Sequence, residues 1–96
     1  MAICPNNTKI YEHLEDSDAY KIVVLHDTAI VQYFVDSDRV ILNSGGWRSV
    51  TTKARMNQVA DEWELDFKVY QKEHEWFVIL PDGSNVPFTD YMEFNV

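Results

Sequence analysis

The sequence predicts an α+β domain: one antiparallel sheet of five to six strands, in the order β-β-β-α-β-β with a further strand at the end, and one amphipathic helix packed on one face. Three observations predict it. Short β-branched and aromatic runs separated by turn residues fill positions 20–43. The hydrophobic period then changes to 3.6, where Met56, Val59, Ala60 and Trp63 recur at helical spacing. It changes back after Phe67. Runs of strands with one inserted helix argue for α+β rather than for alternating βα units.

Taken in order, residues 1–19 are a polar, acidic lead-in in which Glu12, Glu15, Asp16 and Asp18 crowd together. A solvated tail is the plain reading, with a short helix around Lys9 to Leu14 as the ordered alternative. Residues 20–96 form the domain. Tyr20 to Leu25 is the first strand, and His26-Asp27-Thr28 supplies the turn. Ala29 to Val35 is the second strand, apolar except at Gln32. Asp36-Ser37-Asp38 turns the chain again, because Asp and Ser side chains bond local amides. Arg39 to Asn43 is the third strand. Links this short make an antiparallel meander.

Gly45-Gly46 ends that strand, since paired glycines permit positive φ. Ser49, Thr51 and Thr52 are each able to cap a helix running from Thr51 to Glu64. The charges on this helix are reversed relative to its dipole. Lys53 and Arg55 stand near the positive end, and Asp61, Glu62 and Glu64 near the negative end. Each placement forgoes about 0.3–1 kcal/mol. An anion-binding helix start explains this arrangement; drift of exposed charges explains it equally.

Beyond the helix, Phe67 to Lys72 and Trp76 to Leu80 form a hairpin across Glu73-His74-Glu75. Both faces of the second strand are apolar, which makes it central. Pro81-Asp82-Gly83-Ser84 is a turn. Val86 to Phe94 follows as a last edge strand, a position that tolerates Pro87.

Composition sets the bounds. At 96 residues the chain is one domain, and 46% hydrophobic content is too apolar for disorder. No apolar run is long enough to span a membrane. The start, Met1 to Asn7, has neither the basic residues nor the apolar stretch of a signal peptide. A single cysteine, Cys4, excludes an internal disulfide and suits a reducing compartment. Net charge is −8, unevenly distributed. Arg39 to Ala60 holds Arg39, Arg48, Lys53 and Arg55 and no acid, which leaves −12 on the remainder. Such a field steers partners.

Catalytic templates are missing. The glycine pair is followed by Trp47-Arg48 and is no phosphate loop. No serine stands in a nucleophile elbow. His13, His26 and His74 lie beside carboxylates in turns or in the lead-in, without metal-ligand spacing. A non-enzymatic protein without metal or cofactor is expected. Two binding surfaces remain. One is acidic, built from Glu12, Glu15, Asp16, Asp18, Asp36, Asp38, Glu73, Glu75 and Asp82, and suits a protein partner with basic surface. The other is basic, with Trp47 and Arg48 placed to clamp a base and Lys53 and Arg55 to meet phosphates. Core packing is the first reading of all three tryptophans: Trp47 anchoring the loop to the sheet, Trp63 on the helix stripe and Trp76 on a strand face.

The run Leu42-Asn-Ser-Gly-Gly-Trp-Arg-Ser-Val-Thr-Thr-Lys-Ala-Arg-Met-Asn-Gln58 stands out. With Phe67 to Lys72, Glu75 to Val78, Pro81-Asp-Gly83 and Pro87-Phe88, it resembles a group of small proteins of tailed bacteriophages. Phages of marine and photosynthetic bacteria are the nearest likeness. The resemblance covers Tyr20 to Phe94. Relatives carry glycines near the helix end, where this chain has Glu64 and Asp66. The resemblance implies a viral origin and action in the cytoplasm of an infected bacterium, and it carries over no catalytic or binding residue. Together with the missing catalytic templates and the acidic body, it leads to the expectation of a protein that uses its acidic face to bind and modulate a host or phage protein, the machinery that handles nucleic acid included. A small nucleic-acid-binding protein or a minor virion component is the alternative.

Overall fold

A computed structural model describes residues 8–14, 19–46 and 48–96. Among these residues the fold is α+β, with one helix and antiparallel strands. The elements are β1 (Thr8–His13), β2 (Tyr20–Leu25), β3 (Thr28–Phe34), β4 (Arg39–Leu42), α1 (Val50–Glu62), β5 (Lys68–Lys72), β6 (Glu75–Ile79), β7 (Asn85–Pro87) and β8 (Met92–Asn95).

Two expectations are corrected. Lys9 to Leu14 is not helical: Thr8–His13 is a strand, so the sheet begins inside the segment set apart as a lead-in. The strands also form two sheets rather than one. A five-stranded sheet has the order β1-β2-β3-β4-β8, and a three-stranded sheet has the order β5-β6-β7. The physical reason lies at the outer edge of β5. There the Asn57 side chain donates to Val69 O at 2.9 Å and accepts from Val69 N at 2.8 Å. The helix thus satisfies the edge groups that another strand would need. The stretch Val86 to Phe94 splits, giving β7 to one sheet and β8 to the other.

Alternation explains the core. In the five-stranded sheet, Ile10, Val23, Val31, Leu42 and Met92 form one cross-strand row on the inner face. A bulge between Val23 and Val24 turns consecutive Ile30 and Val31 both inward, and both are buried. Onto this face the helix brings Met56, Val59 and Ala60, and the smaller sheet brings Val69, Trp76 and Val78, making one cluster. The helix begins as the sequence predicts. Ser49 has extended φ and ψ and accepts from Thr52 N at 3.1 Å. The expected stripe holds, except that Trp63 is half-buried. It is the C-cap residue, where the helix is already ending; its ring lies 6.5 Å from that of Tyr33, with Lys21 Nζ 5.2 Å above it.

The helix end is a Schellman motif without glycine. Leu65 N donates to Ala60 O at 2.9 Å and Glu64 N to Asp61 O at 3.4 Å, while Leu65 is buried. Glu64 and Asp66 both take φ of 56°, so they occupy the left-handed conformation that glycine adopts without strain.

Candidate functional site

The stretch that stands out in sequence builds the turn from β4 into α1. Asn43 Oδ1 accepts from Gly45 N at 3.2 Å, and Ser44 Oγ from Gly46 N at 3.3 Å. Gly45 has φ of +64°, and a Cβ there would stand 2.6 Å from Thr28 Oγ1. Only glycine fits. Ser44 is buried, and its amide and hydroxyl both donate to Asp90 Oδ1, at 2.9 and 2.6 Å. Burial pushes the Asp90 carboxyl up. The Ser44 hydroxyl and amide, the Arg48 guanidinium and the Gly46 amide outweigh it and hold the group below the usual carboxylate range. Arg48 also lies 5.3 Å over the Phe88 ring.

The helix continues the pattern. Arg55 Nε donates to Thr8 Oγ1 at 3.4 Å and Nη1 to Gln58 Oε1 at 3.0 Å. Asn57 closes the β5 edge. The polar side chains of residues 43–58 therefore tie α1 to β1, to the β7–β8 connection and to the smaller sheet. We call this arrangement the clamp.

Beside it lies a cleft of about 480 Å³ between the β2–β3 turn, the glycine loop and the helix start. Leu25 and Ile30 supply apolar wall, and His26, Asp27, Thr28, Ser44, Ser49 and Thr52 supply polar rim. Both serine hydroxyls have structural duties, Ser44 toward Asp90 and Ser49 as the helix cap. Sequence reading gave His26-Asp27-Thr28 a turn role and passed over Asp90, which lies 46 residues from Ser44 with no local signal to join them.

The acidic residues are spread over several places. Asp36 and Asp38 are exposed on the β3–β4 turn, and Glu12 stands near the same end of the large sheet. Asp38 accepts from the Tyr33 hydroxyl at 3.2 Å; burial first, then this carboxylate, raises the Tyr33 pKa. Glu73 and Glu75 lie at one end of β6, and Asp82 lies past the other, about 16 Å along the strand. Asp82 accepts from the Ser84 amide at 2.8 Å, which lowers its pKa. The described members of the acidic set, Glu12, Asp36, Asp38, Glu73, Glu75 and Asp82, thus stand at separate places in the fold. Glu15, Asp16, Asp18 and Trp47 lie outside the described residues. Arg39 stands over Phe34 at 4.7 Å at the far end of β4 from Arg48, while Lys53 and Arg55 are half-buried on the helix.

Among the described residues no group of three His, Cys, Asp or Glu side chains is placed to hold a metal ion. Among the same residues no helix is long and apolar enough to cross a membrane.

With this geometry in view, the comparisons with known proteins are informative on origin. The family model described as Kyanoviridae Gp96 protein matches residues 3–95. The chain belongs to that family, which is one of cyanophage proteins. The viral resemblance read from the sequence stands at this level. Neither the comparison with curated proteins nor that with solved structures found a match.

Proposed function

We propose that this Gp96-family chain is a non-enzymatic phage protein that acts in the cytoplasm of the infected host by binding, and so modulating, a host or phage protein. One observation carries the reading. Three of the four cations of the basic segment are engaged within the protein: Arg39 on Phe34, Arg48 with Phe88 and Asp90, and Arg55 with Thr8 and Gln58. The carboxylates at Asp36, Glu73 and Asp82 stand exposed on turns, and that of Glu75 is exposed at the start of β6. The charge offered to a partner is therefore chiefly negative, which suits basic protein surface and repels a polyanion.

The test is capture from infected-host lysate with nuclease present, using the chain and a variant carrying Asp36→Asn, Asp38→Asn, Glu73→Gln and Glu75→Gln. A defined protein retained by the first and lost by the second supports the reading. A salt-sensitive shift of DNA or RNA that Arg55→Ala weakens would instead favour nucleic-acid binding. Recovery only within purified virions would assign a structural role.

A further inference from the structure

Among the described residues, one face of the five-stranded sheet is left bare by the helix and the smaller sheet. Register and alternation define it rung by rung. The middle rung reads Tyr11, Ile22, Gln32, Ile41, Glu93 from β1 to β8. The next reads His13, Tyr20, Phe34, Arg39, Asn95. Lys9, Val24 and Ala29 form a third. None of these side chains is buried, whereas their inward neighbours Val23, Val31, Val40 and Leu42 are. A solvated sheet face ordinarily carries polar side chains. This one has isoleucine, valine, tyrosine and phenylalanine at its middle and charge at its margins, which is the anatomy of a protein interface.

We propose that this face pairs two copies of the chain, packed sheet on sheet about a two-fold axis running along β3. The strand order supports this occupant. β3 is the central strand of five, so the axis lays β2 over β4 and β1 over β8 of the second copy. Ile22 then meets Ile41, and Tyr20 meets Arg39. Gln32 meets its own counterpart, and Phe34 carries the Arg39 guanidinium of its own copy over its ring at 4.7 Å. The two margins carry opposite charge, Lys9 on β1 and Glu93 on β8. The axis brings Lys9 of one copy within one rung, about 7 Å, of the row holding Glu93 of the other, twice over. Arg39, on β4 beside the second margin, is held over Phe34 of its own copy. The proposal is independent of the partner reading, since the acidic turns lie at strand ends and stay open in the pair.

Five strands about 4.8 Å apart give a face smaller than the roughly 800 Å² per copy of standard stable interfaces, and each copy carries −8. Association is therefore expected on the order of 10 µM. Sedimentation equilibrium of the full chain should show a mass rising from 11.2 kDa toward twice that value as concentration rises through this range. Ile22→Lys with Ile41→Lys should abolish dimerisation with the circular dichroism spectrum unchanged. Lys9→Glu alone and Glu93→Lys alone should each weaken it about tenfold, which is about 1.4 kcal/mol. The double exchange should restore it to near the wild-type constant. Monomer at every concentration up to about 1 mM would overturn the proposal. So would a dimer indifferent to the isoleucine substitutions, or single charge variants that the double exchange fails to rescue.

Discussion

The clamp and the bare sheet face use similar residues to opposite ends. In the clamp, Asn43, Ser44, Ser49, Arg55 and Asn57 each have a named partner within the chain, and Gly45 has space for nothing larger. On the bare face, Ile22 and Ile41 are half-buried, Phe34 lies under the Arg39 guanidinium at 4.7 Å, and Glu93 is exposed. The lesson is that the most distinctive stretch of sequence need not be the surface that meets a partner. Here it places α1 against two sheets that share no strand. The distinction can be broken by substitution in either region.

The largest effect is expected beneath the clamp. Trp76 is buried, and its ring meets Phe88, the platform under Arg48, edge-on at 5.3 Å. Trp76→Ala should lower stability by about 3–5 kcal/mol in urea titration, since a large aromatic leaves a cavity. Asp90→Ala should cost about 1–3 kcal/mol, because the buried Ser44 amide loses its acceptor. The same carboxylate makes a pH prediction. Its folded pKa lies below the ordinary 3.8, so its stabilisation is full above that value and lost as pH falls through the lower folded value. A midpoint series from neutral pH downward should show this loss in the wild type and a smaller one in Asp90→Asn. Glu64→Gly should gain about 1 kcal/mol, by relieving a side chain held at φ of 56°.

Much of this fold was legible in the sequence because it is local. Met56, Val59 and Ala60 report the helix face, Ser49 is among the three caps foreseen, and the paired glycines mark the turn. The rest depends on contacts distant in sequence. β1 exposes four of its six residues, so its composition gives no apolar pattern, and pairing with β2 decides its conformation. Strand propensity does not say which strands pair, so the division into two sheets rests on Asn57 reaching Val69. Trp63 follows the helical spacing but falls at the cap, where the period no longer predicts burial. The candidate site was less legible than the fold. Acidic residues near in type but far apart in the chain were expected on one face, and the topology distributes the described ones over separate places. The bare face was hidden because buried and uncovered isoleucines look alike in a strand.

The central claim is that residues 43–58 serve architecture. Urea denaturation of Asn57→Ala beside Ile41→Lys, at low micromolar protein, tests it most directly. Asn57→Ala removes both bonds to the buried Val69 backbone and should cost about 2 kcal/mol. Ile41→Lys, on the bare face, should stay within about 0.5 kcal/mol of wild type. Full stability in Asn57→Ala, together with loss of partner capture, would contradict the account and make the clamp a binding surface.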